Sequence, residues 1–275
     1  MEKFDKNVYA PMADGPVVIA HRGGRHEGVR ENSLEAFTKS RELMIDAGLQ
    51  PYAEADITFS SDGIPYVFHG ANTPNKRLNG DVLSKWEFER LSSDTLSRNQ
   101  GVALQLDELL GTFPDMRFLL DMKNLDLDNM DEFLRILKEN NGPERIIVGV
   151  RKHETHRLLG SVALSLGLNL SMIQNGSDSL SVTSLFAIKK NAEAKERWNR
   201  SYADSWLALK KATAGMIRLI NDELESPAIA YANRLSSSEE AEYLAEKGFN
   251  AILTDDVDIA IRGLKSWRKG RLADK

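Results

Sequence analysis

Short apolar β-type runs alternate with amphipathic helical patterns along most of this chain, and that alternation narrows the possible folds more than any other feature. The runs are VVIA (17–20), YAEADITF (52–59), RFLLDMK (117–123), RIIVGV (145–150), LNLSMI (168–173), GMIRLI (215–220), PAIAYA (227–232) and NAILT (250–254). In SLEAFTKSRELMIDAG the apolar residues Leu34, Phe37, Leu43 and Met44 recur at helical spacing, and Gly48 stops the run. DLDNMDEFLRILKENNG, HETHRLLGSVALSLG and SSSEEAEYLAEKG behave alike. Strands that return through helices make a parallel sheet with the helices outside. Eight such runs in 275 residues predict a TIM (β/α)8 barrel, one domain over 1–275 with its core at about 16–265. The pattern is least regular over 176–215, where one long helical stretch surrounds FAIKKNAEAKERWNR. Only NDELES separates the sixth and seventh runs, so one regular helix is missing there.

One connection departs from the alternation. EADITF is followed by SSDG and then IPYVFHG, and Asp-Gly between two extended runs signals a hairpin. So short a link cannot lead to a parallel neighbour. The second barrel strand is therefore expected to run past the rim and fold back. Residues 70–103 then form a polar excursion over the barrel mouth, with at most a short helix in SKWEFERL.

Composition removes several function classes. The net charge is −5 and there is no basic stripe or Lys/Arg block, which argues against nucleic acid. The absence of cysteine excludes disulfides and thiolate metal sites and fits a reducing compartment. MEKFDKNVYAPMADGP has no apolar signal-peptide centre, and no run is long enough to span a bilayer. The expectation is a cytoplasmic protein without stable membrane insertion, or a secreted or periplasmic one if a leader was removed. The sequence is silent on oligomeric state.

Glu54 and Asp56 lie two apart on one run and so share a face. Carboxylates on an inner face are costly unless paired or metal-bound. If Asp62-Gly63 is a two-residue turn, Ser61 opposes Ile64 and Asp56 opposes His69, which brings His69 beside both carboxylates. A three-residue turn sends His69 to the other face. Asp121 and Lys123 share a face at the end of FLLDMK, and the first run ends at His21 and Arg22. Barrel enzymes carry their functional side chains at these C-terminal strand ends. Three carboxylates without a thiolate suit one hard divalent cation, Mg²⁺ or Ca²⁺. Arg22 and Lys123 offer positive charge to an anion, and His21 and His69 offer a general acid and a general base. Together these suit metal-assisted cleavage of a small-molecule phosphodiester.

With AHRGG…RENSLEAF (20–37), EADITFSSDGIPYVFHG (54–70), LQLDELLGTFPDMRFLLDMK (104–123) and EKGFNAILTDDVD (246–258), the chain resembles the glycerophosphodiester phosphodiesterase family. The resemblance is dense in the N-terminal half and sparse in the C-terminal half. It implies a TIM barrel that hydrolyses glycerophosphodiesters to an alcohol and sn-glycerol 3-phosphate. It also implies metal ligands at Glu54, Asp56 and Asp121, an acid–base pair at His21 and His69, and a phosphate and metal site lined by Arg22, Glu31 and Lys123.

Some positions depart from the family. Gly70 stands where the family usually has Asp, and Asp121 where it usually has Glu. PAIAYANR lacks the family's aromatic residue on the seventh strand, although Asn233 is present. The His-Gly pair and Asp-x-Lys are similar instead to the related sphingomyelinase D (phospholipase D) toxins on the same barrel. Those toxins lack the REN-SLEAF block and carry disulfides. Two alternatives follow: a phospholipase D-like enzyme acting on lysophospholipids, and a non-catalytic barrel that only binds phosphodiesters.

Plainer roles stand beside these. His21 can be a core histidine, Glu31 a helix-start acid favoured by the helix dipole, and Lys123 a strand-end surface residue. His26, His153 and His156 read as solvated, and Trp86, Trp198, Trp206 and Trp267 as packing or rim residues. LKSWRKGRLADK reads as a solvated basic tail.

Overall fold

Apolar runs flanked by helical patterns become strands that lie beside one another in chain order. The computed structural model describes residues 15–69, 77–78, 81–82, 85–98, 103–123, 130–150, 169–172, 207–209, 228–232 and 234–273. The strands are β1 (Val17–Ala20), β2 (Tyr52–Phe59), β3 (Pro65–Val67), β4 (Arg77–Leu78), β5 (Asp81–Val82), β6 (Leu104–Gln105), β7 (Arg117–Met122), β8 (Ile146–Val150), β9 (Asn169–Met172), β10 (Leu207–Leu209), β11 (Ala228–Tyr231) and β12 (Ala251–Thr254). Eight of them pair in the order β10-β11-β12-β1-β2-β7-β8-β9, every neighbour parallel. That is the strand order of a (β/α)8 barrel. A ladder joining β9 to β10 is not among the described residues.

Next to β11, where the sixth strand belongs, lies Leu207–Leu209, inside the least regular stretch, 176–215, and not at the expected run 215–220. Three residues of LAL are too short for any periodicity to reveal. The expected strand at 215–220 lies outside the described residues. So do the helices read in HETHRLLGSVALSLG and FAIKKNAEAKERWNR, and Gly70, His153, His156, Trp198, Trp206 and Asn233.

The period-two rule sorts β2 as expected. Ala53, Ala55, Ile57 and Phe59 enter the core between sheet and helices, whereas Tyr52 packs inside the sheet with Val17, Ile19, Leu119, Ile147, Ile229, Ala251 and Leu253. Following the inner face to the strand ends, the residues turn polar: His21, Glu54, Asp56, Asp121 and Asp255.

The helices of the described part are α1 (Leu34–Asp46), α2 (Lys85–Phe88), α3 (Ser93–Arg98), α4 (Leu106–Thr112), α5 (Met130–Glu139), α6 (Gly142–Arg145), α7 (Ser238–Glu246) and α8 (Val257–Ala273). Ser33 caps α1 by accepting from the Ala36 amide at 3.2 Å, a contact worth about 1 kcal/mol. The stretch expected to be a basic tail is instead the end of α8. Its apolar spacing continues through Val257, Ala260, Ile261 and Leu264, all buried, and Trp267 packs against the same core. Among the described residues no helix is long and apolar enough to cross a membrane.

The hairpin after β2 forms, with a three-residue loop. Ser60 donates its amide to the Ile64 carbonyl at 3.0 Å, and the register pairs Ile57 with Val67. Gly63 takes φ 80°, the left-handed residue that a three-residue hairpin loop requires. The Asp62 carboxylate accepts from the Ser60 hydroxyl at 2.7 Å and the Ser93 amide at 2.8 Å, tying the loop to the start of α3. Beyond the hairpin the excursion holds α2 and α3 instead of one short helix, with β6 pairing antiparallel to β3. Tyr66, Phe68, Phe88 and Leu96 form a small separate core there.

Candidate active site

His-Arg-Gly-Gly turns the chain from β1 toward α1 within van der Waals distance of that helix. A side chain at Gly23 would meet Ala36 Cβ at 2.9 Å, and one at Gly24 would meet Ser40 Oγ at 2.6 Å. Both glycines have positive φ, 84° and 79°, so two demands coincide on the one residue type that meets both. Arg22 itself is left-handed at φ 54°, and so is Asn32 at φ 53°. Each is held by the site: the Arg22 amide donates to Glu54 Oε2 at 3.0 Å, and the Asn32 amide donates to the Arg22 carbonyl at 2.8 Å.

The three expected metal ligands converge. Asp56 and Asp121 are register partners across β2 and β7, and Glu54 lies two residues before Asp56. Their exposures are 3% for Glu54, 1% for Asp56 and 4% for Asp121. One oxygen from each lies within 4.8 Å of the others, so the group could hold a metal ion. Cationic side chains reach into the same group. Lys123 Nζ lies 2.6 Å from Asp56 Oδ1 and 2.5 Å from Asp121 Oδ2. Arg22 Nε lies 3.0 Å from Asp56 Oδ2, and Arg22 Nη1 lies 3.3 Å from Glu31 Oε2. Asn32 Nδ2 donates to Asp56 Oδ2 at 3.0 Å.

These contacts divide the carboxylates electrostatically. Burial opposes ionisation of Asp56, but Lys123 and Arg22 outweigh it and hold the carboxyl below its usual range. Burial and the neighbouring Asp56 push Glu54 up to about 7. A hard cation fits such a donor set, because it offsets crowded negative oxygens that two side-chain cations balance unevenly.

His21, 5% exposed, sits at the end of β1. Its Nδ1 is 2.7 Å from Asp255 Oδ1, and its Nε2 is 3.9 Å from Glu54 Oε2 and 3.3 Å from the Tyr231 hydroxyl. The Tyr231 ring meets the imidazole edge-on at 5.4 Å. A hydrogen bond from Nδ1–H to Asp255 leaves Nε2 as the acceptor in the neutral ring. Burial lowers the His21 pKa, yet Glu54 and Asp255 together raise it above the ordinary value. His69 is half-buried. Burial lowers its pKa, and Arg22 and Lys123 lower it further, against the opposite effect of Asp56. Among the described residues its buried Nδ1 has no hydrogen-bond partner.

All eight residues singled out from the sequence therefore meet at one mouth: His21, Arg22, Glu31, Glu54, Asp56, His69, Asp121 and Lys123. The plainer readings of Glu31 and Lys123 fail. Glu31 precedes the Ser33 cap and pairs with Arg22, and Lys123 is drawn inward at 10% side-chain exposure. His69 arrives by the other hairpin register, since Phe68, not His69, opposes Asp56. His26 is not solvated: its Nε2 is 2.9 Å from Ser40 Oγ and 3.2 Å from the Gly23 carbonyl, so it pins the turn to α1.

Three contributors escaped the sequence reading: Asp255, Tyr231 and Asn32. Asp255 carries the same signal as Asp121, an apolar run that ends in a carboxylate at a strand's C-terminal end. Tyr231 places an aromatic ring on the seventh strand, where the sequence was read as lacking one. Asn32 needed the observation that a short polar side chain tolerates the left-handed conformation.

Comparison with known proteins places this geometry. The glycerophosphoryl diester phosphodiesterase family model matches residues 21–259. Among solved structures, a candidate glycerophosphoryl diester phosphodiesterase from Silicibacter pomeroyi is similar, with TM-score 0.69, 17% identity, and 95% of this chain and 98% of that chain covered. A glycerophosphodiester phosphodiesterase from Agrobacterium tumefaciens gives TM-score 0.64 at 16% identity over 91% and 99%. An Oleispira antarctica phosphodiesterase, solved with the product sn-glycerol-3-phosphate, gives 0.65 at 15% identity over 94% and 99%. No curated protein matches the chain by sequence. The structural likenesses establish the fold and the sequence match establishes descent: the chain belongs to the glycerophosphoryl diester phosphodiesterase family of phosphoric diester hydrolases.

Proposed function

We propose that the protein hydrolyses small glycerophosphodiesters to an alcohol and sn-glycerol 3-phosphate, with one divalent cation, Mg²⁺ or Ca²⁺, and a histidine acid–base pair. The observation that carries this reading is the meeting of Glu54, Asp56 and Asp121 with Arg22, Lys123 and the two imidazoles in one barrel mouth. Glu54, Asp56 and Asp121 would hold the cation, which when bound supplies positive charge to the phosphoryl oxygens.

The side chains account for the rest. Arg22 and Lys123 present cationic groups to the phosphate, with Glu31 steadying the Arg22 guanidinium. One histidine takes the proton of the attacking hydroxyl as its oxygen bonds to phosphorus. The other gives a proton to the alkoxide as the P–O bond breaks. His21 exchanges its proton at Nε2, because Asp255 occupies Nδ1. The attacker is water, or the glycerol 2-hydroxyl, which yields a cyclic phosphate that water then opens. A protein relative solved with sn-glycerol-3-phosphate supports the product side of this reading.

The test is turnover of glycerophosphocholine, glycerophosphoethanolamine and a lysophospholipid side by side, with added Mg²⁺ or Ca²⁺ and with EDTA. Release of glycerol 3-phosphate from the deacylated diesters, abolished by EDTA, is the expected result. Preference for the lysophospholipid would replace this substrate class with a lipid one. Binding without turnover would leave a non-catalytic barrel.

A further inference from the structure

His69 reaches the carboxylates by a route that strand pairing does not provide. Phe68 opposes Asp56 in the observed register, its amide donating to the Asp56 carbonyl at 2.9 Å. Continued alternation would turn His69 to the helix side, with Ile57. Pairing of β3 ends at Val67 instead, and the residue before His69 is held from two further directions. The Thr58 hydroxyl donates to the Phe68 carbonyl at 2.8 Å. The Phe68 ring stacks on Phe88, centroids 4.2 Å apart and planes at 18°. Thr58, Phe68 and Phe88 are each 0% exposed, so the peptide that leads into His69 cannot rotate without breaking a buried contact.

From this geometry we infer that Thr58 and Phe88 are positioning residues for His69, acting through Phe68. The excursion over the mouth thereby completes the acid–base pair. His21 needs no such device, because it rides on the end of a barrel strand and is braced by Asp255. Phe88 lies in α2, in the small core with Tyr66 and Leu96, so the order of that core sets the direction of His69. The inference rests on the acid–base role proposed for His69.

The experiment compares wild type, Thr58→Val, Phe88→Ala, His69→Ala, and the two double variants carrying His69→Ala. Thr58→Val keeps the side-chain shape and removes the hydroxyl donor, so it stands if Phe88→Ala fails to fold. The readouts are kcat and KM on glycerophosphocholine, Mg²⁺ affinity by calorimetry and thermal unfolding. A nitrophenyl phosphodiester reports residual rates on the His69→Ala background. Misplacing a catalytic group by about an ångström costs roughly 100-fold. Thr58→Val and Phe88→Ala should therefore lower kcat by roughly 10- to 100-fold, with KM and Mg²⁺ affinity little changed. On the His69→Ala background the same substitutions should have almost no further effect. Equal losses on both backgrounds would mean a general structural role and overturn the inference. So would wild-type kcat in Thr58→Val and Phe88→Ala when His69→Ala is inactive. A His69→Ala enzyme with wild-type kcat instead overturns the acid–base reading, and the inference with it.

Discussion

Arg145, at the foot of β8, and the Glu54–Asp56–Asp121 group, at the tops of β2 and β7, are buried charges handled in opposite ways. Among the described residues, Arg145 donates hydrogen bonds to main-chain carbonyls alone: Asn140 at 2.7 Å, Phe113 at 2.8 Å, Met116 at 3.2 Å and Leu110 at 2.8 Å. Burial lowers its pKa, but a guanidinium stays charged. Its donors close the C-terminal end of α4, and carbonyls neither titrate nor leave. At the mouth, like charges crowd together, and Lys123 is shared between two of them. Charge satisfied by the backbone is static. Charge balanced by side chains can be transferred to a ligand, because those cations can move to a new anion.

Neutralising one mouth carboxylate should break the comparison most sharply. Glu54→Gln should cut turnover by more than about 10³-fold and weaken Mg²⁺ binding, since it removes one anionic ligand. It should not cost stability. A carboxyl raised to about 7 stabilises the fold below its unfolded value, and that contribution is lost as pH rises through 7. In chelator at pH 8 the mutant should therefore unfold at the wild-type temperature or above it. A lower unfolding temperature would make the mouth as structural as the foot.

The imidazoles should show a division of labour. General acid–base help is worth about 10²–10⁴-fold. Loss of the general acid should harm glycerophosphocholine cleavage far more than nitrophenyl ester cleavage, because phenolate leaves without a proton. Loss of the general base should harm both alike. Between His21→Ala and His69→Ala, one should be partly rescued by the activated substrate and the other not, measured as kcat/KM with metal saturating. The same factor lost by both variants on both substrates would refute the division.

At the foot the expectation reverses. Arg145→Met strands carbonyls that Arg145 now satisfies and should lower stability by roughly 2–4 kcal/mol. The rate per folded molecule should stay at the wild-type value in denaturant and activity titrations. A comparable fall in kcat would show that the two ends are coupled.

The smallest effect concerns His26, a static polar group beside the mouth. Burial, with Lys39 adding to it, holds its pKa below the ordinary value despite the Gly23 carbonyl. The associated stability is full above the unfolded pKa, about 6.5, and is lost as pH falls below it. In His26→Gln the slope of unfolding free energy between pH 7 and 5 should be shallower, the difference amounting to less than about 1 kcal/mol over that interval. An unchanged slope would remove His26 from the pH dependence.

Alternation of strand and helix, the placement of Glu54 and Asp56 on one face and the polar ends of three apolar runs all follow from local chemistry. Period-two geometry and the cost of burying carboxylates act within a few residues, so the sequence alone determined the barrel class and most of the mouth. Which register the hairpin takes was left open by the local pattern; in the fold the Asp62 side chain of its three-residue loop is held by the Ser93 amide, far along the chain. How His69 turns inward depended on Phe88, nineteen residues away in the chain, stacking on Phe68. Asp255 and Tyr231 joined His21 only because the parallel sheet sets β12 beside β1 and β11 beside β12. These contacts are made between segments far apart in sequence, and no local periodicity encodes a distance that closing the sheet has yet to set.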